Sequence, residues 1–149
     1  MPKEGEPRFS SAEANLVVHA TEDAGKVLGA VEQALGIPAA SFDGEPSEGH
    51  FGNMILLLKA TVPSREAGGL AVRILQSLNS ADRQYLSANV DEFADEKGNL
   101  YIRLDKQRIC QGKVSLAEND AVRIKFKPVR RYKPSDNIET YRGLFSSIE

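Results

Sequence analysis

Tryptophan is missing from this chain, and cysteine occurs once, at Cys110. A single thiol excludes an internal disulfide and fits a reducing compartment. The two histidines, His19 and His50, stand in no metal-ligand spacing, so no metal and no cofactor are expected. No apolar run approaches the roughly 20 residues of a membrane span. The longest, Met54–Leu58, has only a strand's length. The polar start, Met1–Arg8, lacks the apolar centre of a signal peptide, and a cytoplasmic location is expected. Phosphate-binding glycine loops, a nucleophile elbow and a dinucleotide fingerprint are all wanting, so an enzyme is not expected. A catalytic reading would have to centre on Cys110 or His50. Arg108 and Lys113 beside Cys110 could depress its thiol pKa, yet a lone cysteine at strand periodicity is ordinarily a small buried hydrophobe.

What is present is a chain of 149 residues, 41% hydrophobic and 27% charged, enough for one soluble globular domain with an ordinary core. The near-neutral total of −2 hides a split. Residues 1–99 carry 8 basic against 15 acidic side chains, whereas residues 100–149 carry 11 against 6. Within Arg103–Lys133 the count is 10 basic to 3 acidic. So localised a basic block calls for an anionic partner, and nucleic acid is the first candidate.

Residues 1–11, rich in Pro, Glu and Gly near their start, are expected to be disordered. A single α+β domain is expected over residues 12–128, a mostly antiparallel sheet with helices on one face. A basic arm with a short helix should follow over residues 129–149. The first strand is read from Glu13 to Ala20, and Thr21-Glu22-Asp23 as the start of a helix that Gly36 ends, with Thr21 accepting from a free amide and the two acids against the positive end of the dipole. Ile37–Glu48 is turn-rich with room for a short strand, and Met54–Val62 is a buried strand. Ala67, Leu70, Ala71, Ile74, Leu75 and Leu78 form a helical stripe. Ser80 can cap a further short helix. Asn89–Phe93 and Asn99–Asp105 then read as a hairpin around Asp95-Glu96-Lys97-Gly98, with Gln107–Gly112 continuing or bending its second strand. In Ala121–Lys127 the alternation is unbroken: Val122, Ile124 and Phe126 inward, Arg123, Lys125 and Lys127 outward. Asp136 and Glu139 suggest a capping pair for a tail helix whose Ile138, Tyr141, Phe145 and Ile148 could line one side.

The outward cations, with Arg103 and Tyr101 on the neighbouring strand, would repeat at about 6.6–7 Å, comparable to phosphates along a strand. Tyr101 adds a stacking face, and Arg130-Arg131-Tyr132-Lys133 a basic arm. The competing explanation is the solvated face of an antiparallel sheet, with lysines that discourage edge pairing. Asp105-Lys106-Gln107 interrupts the apolar pattern where an inward residue is due. Either a bulge or an internal ion pair of Asp105 with Lys106 or Arg103 would account for it. Gly49-His50-Phe51-Gly52-Asn53 could offer amides and an imidazole to a phosphate, or be plain turn chemistry.

Several segments in succession resemble an archaeal RNA-binding family predicted to associate with the exosome. They are Val18-His19-Ala20-Thr21-Glu22-Asp23, Glu48-Gly49-His50-Phe51-Gly52-Asn53, the acidic turn Asp95–Gly98, Leu100–Gln107 with Gly112, and Asp120–Lys125. The resemblance spans about residues 12–128. It implies a fold like that of the ribosomal protein that contacts 5S RNA, with helices packed on a curved sheet, and it implies RNA binding. Arg103, Lys106, Gln107, Arg123, Lys125 and His50 are the matching positions that could touch RNA. Residues beyond Lys133 exceed the family pattern. The rival function is a protein-interaction module, in which the acidic first part and basic last part pair between subunits, giving a homodimer or a place in a complex, with the tail helix as a docking element.

Overall fold

Four stretches of alternating or continuous apolar residues, with one polar edge segment, become five strands in a computed structural model, which describes residues 9–48, 52–129 and 134–147, the side chains of 134–138 and 147 excepted. In chain order they are β1 (Phe9–His19), α1 (Ala24–Leu35), a 3-10 turn (Ala39–Ser41), β2 (Asp43–Glu48), β3 (Met54–Pro63), α2 (Ser64–Ser77), α3 (Ser80–Ala88), α4 (Val90–Phe93), β4 (Leu100–Asp105), α5 (Lys106–Cys110), β5 (Ala121–Pro128) and α6 (Pro134–Ser147). The strands form one open sheet in the order β2-β3-β1-β5-β4, antiparallel throughout. The α+β expectation holds, with the helices gathered on one face.

That face buries Ala12, Ala14, Leu16 and Val18 of β1, Leu58, Ala60 and Val62 of β3, Leu100, Ile102 and Leu104 of β4, and Val122, Ile124 and Phe126 of β5. The alanines matter at the centre of the sheet. Ala12, Ala14 and Ala60 face α2, whose own buried residues include Ala67, Gly68 and Ala71, so the helix can lie close to β1. Gly36 ends α1 in the left-handed region at φ 76°, where a Cβ would come within 2.6 Å of Arg73 Nη1. The Arg73 guanidinium instead donates to the Ala34 and Gln33 carbonyls at 3.1 and 2.8 Å, satisfying the helix end.

Several local expectations change. β1 starts at Phe9, which is buried against Phe126, so residues 9–11 belong to the sheet and not to a disordered terminus. Asp23, not Thr21, caps α1, accepting from Lys26 N–H at 3.1 Å. Asn79, one residue before Ser80, caps α3. Val90–Phe93 is a helical turn, so the proposed hairpin reduces to one bridge between Ala94 and Leu100. Beyond Asp105 the chain coils into α5 because the Asp105 carboxylate accepts from Arg108 N–H at 3.0 Å. The tail helix spends Tyr141 and Phe145 on the molecule's own core, at 3% and 2% exposure, which removes them as a docking surface. His50, Arg130, Arg131, Tyr132, Lys133 and Ile148, and the side chains of Asp136 and Ile138, lie outside the described residues. No helix among the described residues is long and apolar enough to cross a membrane.

Candidate nucleic-acid interface

With helices on one face, the other face of the sheet is open, and strand alternation decides what it displays. β5 contributes Arg123, Lys125 and Lys127; β4 contributes Tyr101 and Arg103; β1 contributes Glu13, Asn15 and Val17; β3 contributes Leu57 and Lys59. Register sets the neighbours. Arg103 stands directly opposite Arg123, and Tyr101 opposite Lys125. Across the β1 side, Asn15 faces Arg123 and Glu13 faces Lys125, while Lys59 of β3 lies on the far side of Asn15.

The expected stripe is therefore real, but it is not wholly unanswered. Glu13 receives Lys127 at 2.9 Å and Lys59 at 3.9 Å. The Lys127 hydrogen bond holds the Glu13 carboxyl below the usual carboxylate range against the opposing effect of burial, and Lys59 and Lys125 add their charge. Arg103, Arg123 and Lys125 have no ion-pair partner among the described residues. Like charges directly opposite each other in a sheet repel, so the Arg103–Arg123 pair works against the free fold. Lys125 Nζ lies 5.7 Å from the centre of the Tyr101 ring, a cation–π contact, and the Tyr101 hydroxyl donates to Asp95 at 2.8 Å. Burial and the Asp95 carboxylate both push the Tyr101 phenol upward, so it stays neutral. A concavity of about 400 Å³ opens on this face, with Asn15, Val17, Leu57, Tyr101, Arg103 and Arg123 among its walls.

Lys106 does not join that surface. It follows Leu100, Ile102 and Leu104 inward and is 0% exposed, which corrects its expected place at an RNA contact. Its ammonium donates to the Val17 carbonyl at 2.6 Å, to Glu22 at 2.7 Å and to Asp120 at 2.9 Å. Gln107 donates its amide to both Glu22 and Asp120 at 3.2 Å, and His19 Nε2 lies 3.3 Å from Asp120. An ion pair was one of two explanations for the broken pattern at 105–107, but its carboxylates are Glu22 and Asp120, not Asp105. Glu22 is thus a partner of a buried cation and not merely an acid at a helix start. Burial alone would raise the Glu22 and Asp120 carboxyls, yet hydrogen bonds from Lys106 and Gln107, with the Lys106 charge, leave both lowered. Three segments that carry the family resemblance meet here: Val18–Asp23, Leu100–Gln107 and Asp120–Lys125. Cys110 also departs from expectation. The residue is exposed, yet partial desolvation of its thiol, with the Glu22 charge, pushes the thiol up, away from a reactive thiolate.

The cationic positions on β4 and β5 were legible from alternation. Glu13, Asn15 and Lys59 were not, because a strand's facing partner on another strand is a matter of register. The one available signal was the outward parity of Glu13 and Asn15 within β1.

A sequence profile described as RNA binding matches residues 11–128. An RNA-binding protein of Pyrococcus abyssi is 37% identical over 118 residues, covering 74% of this chain and 77% of its own. A crystal structure of a protein from Archaeglobus fulgidus superposes with a TM-score of 0.78 at 27% identity, covering 92% of this chain and 99% of the other. A protein of Methanothermobacter thermautotrophicus gives 0.72 at 27% identity, with 93% and 98% covered. With a match across nearly all of the sheet and its helices, the chain belongs to this RNA-binding family.

Proposed function

We propose that the protein binds RNA on the open face of its sheet and catalyses no reaction itself, acting as an accessory factor in RNA processing or decay. The observation that carries the reading is Arg103 set opposite Arg123 on an exposed surface, neither of them ion-paired among the described residues. A fold that needed only a solvated sheet face would gain by alternating the charges. Phosphate oxygens supply the missing anions, and release of their counterions makes binding strongly salt-dependent. Lys125, two residues beyond Arg123 on β5, adds a third cation in the next row, and the hydrogen-bonding hollow beside it gives a nucleic acid more than charge to grip. The link to decay is supported by the resemblance to a family predicted to associate with the exosome. The same resemblance supports kinship with the fold of the 5S-contacting ribosomal protein.

Replacing Arg103 and Arg123 together with Ala tests the RNA reading. Fluorescence anisotropy across a salt series should show weaker binding and a log–log slope flatter by about 1.4, two phosphates at about 0.7 each for a single strand. The free variant should be more stable than the parent by about 0.2–1 kcal/mol, the relief of one like-charge pair. Unchanged affinity and slope in the folded double variant would overturn the proposal.

A further inference from the structure

We infer that the hollow on the open face takes an unpaired nucleobase whose edge is read by Asn15, so that the bound RNA is single-stranded at this point. The inference rests on the RNA reading above and adds to it the class of RNA and a residue that determines specificity.

Asn15 sits on β1, the middle strand of five, in the row Lys59–Asn15–Arg123–Arg103. It is half-buried, and its amide makes no hydrogen bond to any described residue. A carboxamide carries two donors and an acceptor, and the Asn15 amide, open to solvent and tied to no described side chain or backbone group, is free to offer them to a ligand. Around it the hollow combines two kinds of surface. Val17 and Leu57 are apolar, with Leu57 44% exposed; Arg103 and Arg123 are cationic. A duplex laid across this face would engage the cations through its phosphates and leave the apolar floor and the amide facing water. A splayed base uses all three: its flat face covers Val17 and Leu57 or stacks on a guanidinium plane, its edge meets the Asn15 amide, and its flanking phosphates meet Arg103 and Arg123. Tyr101 leaves the guanidiniums as the main stacking planes, because its hydroxyl is held by Asp95 and Lys125 lies over its ring. Glu13, the nearest outward carboxylate on β1, is engaged by Lys127 and Lys59, so it does not neutralise the arginine pair.

The test compares the full chain with its Asn15→Ala and Asn15→Gln variants, each shown folded by circular dichroism. Binding to 12-mers of adenylate, cytidylate and uridylate, and to an RNA duplex of matched length, is measured at several salt concentrations. The parent should bind its preferred homopolymer at least about fivefold more tightly than the poorest, the lower bound for one bidentate base contact. It should also bind single strands more tightly than duplex. Asn15→Ala should bring the homopolymers within about twofold of one another with an unchanged salt slope, because no phosphate contact is lost. Asn15→Gln, which keeps the amide, should retain part of the preference. A base preference that survives Asn15→Ala intact, no preference in the parent, or duplex binding as tight as single-strand binding overturns this inference. In each of those cases a salt slope that still depends on Arg103 and Arg123 leaves the RNA reading standing. Failure of the parent to bind any of the RNAs overturns both.

Discussion

At the scale of single residues, the same side-chain chemistry has opposite consequences at two inward- and outward-facing positions only three residues apart. Arg103 points out and keeps its charge available; Lys106 points in and must be neutralised where it stands. A buried ammonium survives only with close anions, and Glu22 and Asp120 supply them at 2.7 and 2.9 Å. Removing the cation strands two carboxylates, so Lys106→Met should cost about 3 kcal/mol at pH 7, the lower end for a broken buried pair because Asp120 is partly exposed. The sign of the pH dependence is set by the shifts. Both carboxyls are lowered in the folded protein, so their stabilisation is complete near neutrality and is lost as pH falls from about 5 through their folded values. In Lys106→Met the burial that raises them is opposed only by the hydrogen bonds from Gln107 and His19, with no Lys106 charge, so protonation relieves part of the strain. The stability gap between parent and variant should therefore narrow between pH 7 and pH 4 in urea unfolding. An equal gap at both pH values would mean that the network carries no charge-dependent stability. In the sequence Lys106 stood out as a break in an apolar run, but its partners lie 84 and 14 residues away along the chain. Local pattern finds the buried cation and cannot find its counter-ions.

At the scale of elements, boundaries depended on which side chain bonds the first free amides. α5 exists where a continued or bent strand was expected because Asp105 caps it, and that cap lies in a residue that strand alternation reads only as outward. Val90–Phe93 likewise coils, leaving β4 to pair with β5 alone among the named strands. Long periodic elements such as α2, β3 and β5 were legible, since a run of evenly spaced apolar residues admits one burial solution. The tail helix was visible as an amphipathic segment, but its partner was not. α6 packs on α3 and α4, Tyr141 stacks 6.2 Å from Phe9, and its hydroxyl donates to the Gly98 carbonyl. Burial pushes that phenol up to about 12, so it remains a donor across the physiological range. Tyr141→Phe should cost about 1–2 kcal/mol by leaving the Gly98 carbonyl unpaired, and Tyr141→Ala about 3–5 kcal/mol by emptying the site as well. Thermal unfolding should resolve the two, at roughly 2–4 °C per kcal/mol for a chain of this size. Equal midpoints for all three proteins would show that α6 is not part of the cooperative core.

At the scale of the whole molecule, a chain of net charge −2 presents a cationic sheet face by segregating its charges and not by having many. The acidic first part supplies β2, at the sheet edge, with Asp43, Glu45 and Glu48, whereas β4 and β5 at the opposite side supply Arg103, Arg123, Lys125 and Lys127. Such a gradient orients an approaching polyanion toward the β4–β5 side before contact. The account makes the open face, and not the helical layer, the surface that meets RNA. Amide chemical-shift mapping of the nitrogen-15-labelled protein during titration with a single-stranded oligoribonucleotide tests this most directly. The account predicts shifts concentrated at Asn15, Val17, Leu57, Tyr101, Arg103, Arg123 and Lys125, with α1 and α2 unmoved. Shifts concentrated on α1 and α2, with β1 and β5 silent, would contradict it.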